Sequence, residues 1–310
     1  MSAVLDAVRH PGSARAAALP SQLRSGGLAA GLAGIALVSV ALVASLAVAA
    51  DGGTGRADTL AWTFGLTTAG FVVLKSGIAL TLLGILLRVR DRIDAAKSSL
   101  PALAGPTAVG PASKDEVVTS FGRASRTIGV LDPLPIHRLA RLMWAPMVVM
   151  GPMLVAAGLV TSILQASADS AGDAAAYSAW TQGLQFLGEG LVLAGISFLL
   201  GTILGELRRG GGEVQEALGV TVWTLKMPLS AKLFVVLMAT GVMVSIAQFA
   251  LYVVAASVSD PTTWFAVLGP LREVGLGLLL SGIVLALFTI GTVLGFQFDR
   301  MRTLVRGEER

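Results

Sequence analysis

Four charged residues lie inside long apolar stretches of this 310-residue sequence, namely Lys75, Glu189, Arg272 and Glu273. An ionisable group in hydrocarbon costs at least about 2.5–3.5 kcal/mol, so it is retained where it is paired or useful. Cations and carboxylates at these positions can form buried ion pairs. They can also line a polar path in which protonation of a carboxylate accompanies transport. These four residues are therefore the candidate site.

Lys75 lies 13 residues from both Trp62 and Arg88, near the middle of its apolar stretch. Its flexible side chain can reach the cytoplasmic interface or bind a buried partner, and the sequence leaves both interpretations open. Glu189 and Glu273 each lie nine residues from a tryptophan of their own. In straight parallel helices these depths differ from that of Lys75 by roughly 6 Å along the axis, a distance that a lysine side chain spans.

Arg272 and Glu273 follow Pro270, which is favoured in the first turn of a helix. A helix that begins at Pro270 places Glu273 at the outer interface. The alternative is a kinked helix that begins at Trp264 and places Glu273 one to two turns deep. Only 16 residues without charge follow Glu189 before charge resumes. We therefore expect the Glu189 carboxylate in the outer leaflet, either neutral or paired.

Other chemistries lack the residues that they need. The chain has no cysteine, which excludes disulfides, thiolate metal sites and iron–sulfur clusters. Its two histidines, His10 and His137, lie outside the apolar stretches, so they cannot form the paired ligands of an intramembrane haem. No zinc-protease motif and no phosphate-binding glycine loop is present. We predict no cofactor, no metal site and no catalytic residue, and the residue pattern favours a role other than that of an enzyme.

The composition indicates what must position the four charges. Hydrophobic residues make up 54% of the chain and charged residues 14%, with a mean hydropathy of +0.78. Six apolar stretches are each long enough to cross a hydrocarbon core of about 30 Å as a helix. They span residues 27–50, 60–87, 143–166, 180–205, 233–258 and 264–298. The sequence therefore predicts an all-α integral membrane protein with six transmembrane helices.

Basic residues are distributed unevenly between the connecting segments. Of the 23 lysines and arginines, 20 fall in segments 1–26, 88–142, 206–232 and 299–310, and only Arg56 falls in an outer connection. Because basic segments are retained in the cytoplasm, we expect both termini there, in a bacterial-type plasma membrane. Anionic lipid headgroups at the cytoplasmic face are the expected partner of these charges. Nucleic acid is not an expected partner, because no basic segment is interleaved with aromatic residues.

Short outer connections join the spans into three helical hairpins, 27–87, 143–205 and 233–298. The pattern Gly-x-x-x-Ser-Ile-x-Gln at Gly158 recurs at Gly241, which suggests parallel repeats about an axis along the membrane normal. The alternative is that glycine-rich and leucine-rich helices align by composition. The inner connection 88–142 is predicted to be a linker, proline-rich over 101–111, with a short amphipathic helix over 114–126 that Ser113 caps.

Pairs of glycines at a spacing of four residues allow helices to approach closely, within this chain or against another. These pairs are Gly27 with Gly31, Gly201 with Gly205, and Gly291 with Gly295.

Two functions fit the sequence. The first is a structural, accessory or anchor subunit that packs against another membrane chain or a second copy of itself. The alternative is a small transporter or channel that uses Glu189, Glu273 and Lys75. The first is favoured because a transport site needs several polar groups at mid-depth, and the first, third and fifth spans offer almost none. Charges that face outward on one surface would favour a partner, and carboxylates that face one another would favour transport.

Overall fold

A computed structural model of the chain describes residues 14–51, 56–103, 116–127, 134–258 and 262–305. These residues form six α-helices and three β-strands. In chain order they are α1 Ala14–Asp51, α2 Arg56–Leu103, β1 Glu116–Thr119, β2 Gly122–Thr127, α3 Pro135–Ala166, α4 Ala171–Ala217, β3 Val222–Leu225, α5 Leu229–Ala255 and α6 Thr262–Val305.

All six helices contain a segment long and apolar enough to cross a membrane, which confirms the predicted number of such helices. The even-numbered helices are longer than a crossing requires, with 48 residues in α2, 47 in α4 and 44 in α6. At 1.5 Å per residue they measure roughly 65–70 Å, about twice the hydrocarbon thickness. They run past the predicted ends at residues 87, 205 and 298, and α2 continues to Leu103, inside the predicted linker.

Helix α4 is the central helix of the bundle. In the apolar segment of α4, 89% is buried inside the protein, whereas in the apolar segment of α1 only 11% is buried. It packs against α2, α3, α5 and α6, whereas the most extensive helix contacts of the protein join α1 to α2, α3 to α4 and α5 to α6. A polar side chain on α4 therefore meets other helices instead of lipid.

Glycines allow neighbouring backbones to touch in two of these helix pairs. A Cβ atom added to Gly34 of α1 would lie 2.6 Å from the carbonyl oxygen of Gly70 in α2. A Cβ atom added to Gly151 of α3 would lie 2.6 Å from the carbonyl oxygen of Gly188 in α4. Contact this close is the arrangement that small residues permit between membrane helices. It brings α3 against α4 at the level of the candidate site.

The three strands form one antiparallel sheet in the order β1-β2-β3. The predicted amphipathic helix over 114–126 is wrong, because the structure has the β1–β2 hairpin there. The all-α fold class was therefore incomplete. The turn contains Gly122 at φ +127°, a backbone conformation that favours glycine. β2 also pairs with β3, almost a hundred residues later, and this long-range partner cannot be read from local periodicity. The proposed cap Ser113 lies outside the described residues.

Candidate functional site

The site forms around Glu189, near the middle of α4, whose side chain is 5% exposed. The Lys75 Nζ atom of α2 binds one carboxylate oxygen, Oε1. The Arg272 Nη2 atom of α6 donates to the other oxygen, Oε2, at 3.0 Å. One carboxylate therefore joins cations from two other helices. We call Lys75, Glu189 and Arg272 the buried ion cluster.

Glycines on either side of Glu189 shape the walls around the carboxylate. Gly188 lets α3 approach until the two backbones touch. A Cβ atom on Gly190 would lie 2.6 Å from the Ser245 hydroxyl oxygen of α5. Because larger residues would push both helices away, the sequence Gly-Glu-Gly encloses the carboxylate between α3 and α5. The two cations then enter from the remaining sides, on α2 and α6.

Aromatic rings support the two cations. The Arg272 guanidinium lies 3.9 Å from the centre of the Phe186 ring, and Lys75 Nζ lies 6.0 Å from that of Phe71. Such cation–π contacts are worth more where water is excluded. Within the described residues the Arg272 Nε atom is buried without a hydrogen-bond partner, so the ring face is its main compensation.

Glu273 points away from the buried ion cluster. Its side chain is 73% exposed, and its carboxylate lies 3.8 Å from Arg272 Nη1. Helix α6 begins at Thr262 and continues through Pro270, so the structure has the longer of the two helices that the sequence allowed. Glu273 therefore lies well inside α6, about 13 Å along the axis from Trp264.

Two small residues continue the line of Glu273 along α6. Gly277 and Ser281 follow at four-residue spacing, both are exposed, and a Cβ atom on Gly277 would meet nothing within 4 Å. Apolar neighbours on this side are exposed as well, including Val274 at 54% and Val284 at 64%. We call Glu273, Gly277 and Ser281 the outer α6 face. It combines a carboxylate with a small-residue surface that the described part of the chain leaves uncovered.

Two further ion clusters lie toward the C-terminal ends of α2 and α4, and sequence reasoning missed both. Each has one glutamate of α4 between a basic residue of α2 and a second cation, with the contacts at 2.7 Å. Their members are Arg90, Glu206 and Arg141 in the first and Lys97, Glu213 and Arg209 in the second. The sequence does carry a signal for these clusters. Arg90 and Lys97 are seven residues apart, and so are Glu206 and Glu213, a spacing that keeps the members of each pair on one helix face.

The six glycines predicted as packing residues divide into three groups. A Cβ atom on Gly27 would lie 2.5 Å from Thr81 Oγ1 of α2, and one on Gly295 would collide with Phe121. The other glycines have more room. Gly31, Gly201 and Gly205 would place a Cβ atom 3.1 Å or more from its nearest neighbour, and Gly291 faces open space. Some glycines outside the motif approach a neighbouring helix more closely than Gly31, Gly201 and Gly205 do, namely Gly34, Gly70 and Gly188.

The buried ion cluster is closed in chemical terms. Both oxygens of Glu189 already accept from a cation, and the nearest second carboxylate, that of Glu273, is separated from Glu189 by the Arg272 guanidinium. No group of three or more histidine, aspartate or glutamate residues that could hold a metal occurs among the described residues. The arrangement is suited to tying α2, α4 and α6 together.

No protein-family model matches this chain, and neither the curated proteins nor the solved structures compared with it give a match.

Proposed function

We propose that the protein is a structural, accessory or anchor subunit of a bacterial-type plasma membrane that packs against another membrane chain through the outer α6 face. The observation that carries this proposal is the outward carboxylate of Glu273, 73% exposed in the apolar part of α6. A charged group that faces lipid is costly, Arg272 at 3.8 Å is too far away to hydrogen-bond this carboxylate, and a donor on a second chain would relieve the remaining cost. Gly277 and Ser281 would let the second helix approach closely enough to provide the donor.

The proposal includes an arrangement in the membrane. The six helices cross it as three hairpins with both termini in the cytoplasm, and hairpins two and three are parallel repeats. Extensive contacts within the pairs α1–α2, α3–α4 and α5–α6 support the hairpins, and the distribution of basic residues supports the orientation. The basic inner ends bind anionic lipid headgroups.

Cysteine labelling tests the orientation without background, because the chain has no native cysteine. Single cysteines at Ser170 and Ser257, both exposed at the ends that the proposal places outside, should react with an impermeant maleimide in sealed cells. A cysteine at Ser120, in the β1–β2 turn, should not. Labelling of position 120 in sealed cells would show that the chain has the opposite orientation.

Cross-linking in native membranes tests the partner surface. A cysteine at Ser281 that carries a photoreactive probe should give a discrete adduct heavier than the 31.7 kDa chain, and Glu273→Gln should weaken it. A cysteine at Ala157, exposed on α3, is the matched control and should react only with lipid. A second copy of this chain would give an adduct of twice the mass. Equal behaviour of positions 281 and 157 would contradict the proposal.

A transporter is the second candidate, and the buried ion cluster is the observation that favours it. Here protonation of Glu189 would release the two cations and change the contacts between α2, α4 and α6. The test is proton flux into proteoliposomes under an imposed membrane potential. Flux that Glu189→Gln abolishes would support the transporter, whereas an absence of flux from protein that is folded by its thermal transition would support the subunit.

A further inference from the structure

A narrow cleft lies where the C-terminal half of α4 meets β3 and the ends of α3, α5 and α6. Its free volume is about 80 Å³. One water-sized group needs about 10–15 Å³ of such space, so the enclosed part of the cleft holds roughly half a dozen carbon atoms, about half of a twelve-carbon chain. Most of the wall is apolar, with Phe198 of α4, Phe234 and Met238 of α5 and Val293 of α6 among its residues. A hydrocarbon chain fits these walls, whereas a polar ligand of the same size does not.

Two buried polar atoms in the wall lack a partner. Arg208 and Thr224 both line the cleft, and the Nε atom of the first and the hydroxyl oxygen of the second are buried without a hydrogen-bond partner among the described residues. Thr224 is 5% exposed. The neighbouring Arg209, by contrast, binds Glu213 at 2.7 Å. Because unmade hydrogen bonds of buried groups are unfavourable, two such atoms in one cleft point to a ligand that accepts from both.

The cleft is polar at one end and apolar at the other. Arg208 lies ten residues beyond Phe198 along α4, about 15 Å nearer the end that carries the ion clusters of Glu206 and Glu213. Between Phe198 and Arg208, the Nδ1 atom of His137 lies 3.1 Å from the carbonyl oxygen of Gly201. The gradient matches an amphiphile whose head is at the inner membrane surface and whose chain points to the membrane centre.

We propose that this cleft binds a single-chain amphiphile with an anionic oxygen head, either a carboxylate or a phosphate. The head accepts hydrogen bonds from Arg208 Nε–H and the Thr224 hydroxyl, and the chain lies against Phe198, Phe234 and Met238. This site is separate from the outer α6 face, so the failure of one proposal leaves the other intact.

Trp223 lines the cleft and supplies a direct optical signal. Fluorescence of the full-length protein in a non-ionic maltoside detergent is titrated with bromine-labelled dodecanoic acid, and the same titration of Trp223→Phe is subtracted. Quenching of Trp223 should saturate. It should need about tenfold less of the acid than of bromine-labelled dodecanol, which has the same chain and a neutral head. Quenching that rises without saturation, or that is equal for acid and alcohol, would overturn the proposal.

Variants assign the head and the chain to their residues. Arg208→Met should remove the preference for the acid, whereas Arg209→Met, one residue away and outside the cleft, should keep it. Thr224→Val, close in shape, should weaken binding of the acid several-fold even if Arg208→Met fails to fold. Val235→Phe should fill the cleft and abolish quenching by both compounds. An acid preference that persists in both Arg208→Met and Thr224→Val would overturn the proposal.

Competition distinguishes the two sources of the head. Unlabelled dodecanoate or dodecyl phosphate should displace the labelled acid, and the stronger competitor identifies the head group. Inorganic phosphate should not displace it at the same concentration, because it lacks the chain. Displacement by inorganic phosphate alone at that concentration would contradict an amphiphile site.

Discussion

Three glutamates of α4 each bind two cations, but they do so at very different depths. Glu189 is 5% exposed, and its partners Lys75 and Arg272 are 17% and 22% exposed. Glu213, toward the C-terminal end, is 23% exposed, and its partners reach 32% and 49%. Ion pairs near water gain little, whereas removal of one member of a buried pair leaves an uncompensated charge. The same arrangement of charges should therefore stabilise the two regions by different amounts.

The regions around Glu189 and Glu213 both contain ion pairs between α2 and α4, because these two helices run side by side. Lys75 pairs with Glu189 at a sequence separation of 114, and Arg90 pairs with Glu206 at a separation of 116. Lys97 and Glu213 repeat the separation of 116. A nearly constant separation means that the two helices run parallel over the whole series. The pair between α2 and α4 is therefore alike in the three clusters, which differ in depth and in the helix that provides the second cation.

The largest expected effect is that of Glu189→Gln. The substitution keeps the shape but leaves Lys75 without its counter-ion and Arg272 with only the exposed Glu273 carboxylate, 3.8 Å away. We expect a loss of about 3–5 kcal/mol in the free energy of unfolding. Reversible unfolding in mixed detergent micelles measures it, with Gln182→Glu in the N-terminal part of α4 as a control for a change of one unit of charge. A loss below about 1 kcal/mol would mean that the cluster is hydrated.

Glu206→Gln should have a smaller effect, because Glu206 is 14% exposed and its partner Arg141 is 49% exposed. Screening by water limits the expected loss to about 1 kcal/mol. The same unfolding assay compares the two glutamates directly. If Glu206→Gln costs as much as Glu189→Gln, depth does not control the contribution of these clusters.

The pair Lys97–Glu213 should respond to salt. Its side chains are 32% and 23% exposed, so its contribution should be about 0.2–1 kcal/mol at low ionic strength. At 1 M NaCl the Debye length is about 3 Å, and the difference between wild type and Glu213→Gln should disappear. The effect of Glu189→Gln should stay the same at both salt concentrations. A salt response of equal size at both sites would place them in similar surroundings.

The smallest effect concerns the sheet, where Lys226 hydrogen-bonds Glu116 and lowers the pKa of that carboxyl from its usual 4.5. Because the folded pKa is below the unfolded one, the contribution to stability is present above pH 4.5. It is lost as the pH falls through the folded pKa. The hydrogen-exchange protection factors of the β1–β2 hairpin, which are corrected for the intrinsic pH dependence of exchange, should therefore fall on acidification in wild type and less so in Glu116→Gln. Identical acid profiles would show that the pair does not hold the sheet.

The sequence predicted the six long helices, because runs of apolar residues leave few alternatives. It also put Lys75 within reach of either Glu189 or Glu273, since the distances from the tryptophans set their depths, but it left open whether Lys75 pairs with a glutamate at all. It could not decide which faces meet, because facing depends on glycines such as Gly34, Gly151 and Gly188, whose contacts are set by packing. The three-stranded sheet was missed for a related reason: β2 needs β3 as a partner, and a pattern within 114–126 carries no information about Val222–Leu225.

A double-mutant cycle tests the central claim that Lys75 and Glu189 act as one buried unit. Lys75→Met, Glu189→Gln and the double variant are unfolded in mixed micelles beside the equivalent set at Lys97 and Glu213. We predict that each buried single variant is destabilised and that the double variant loses less than the sum of the two, since Lys75 and Glu189 then leave together and only Arg272 has lost its Glu189 contact. The set at Lys97 and Glu213 should show a coupling below about 1 kcal/mol. Losses at Lys75 and Glu189 that simply add would contradict the account.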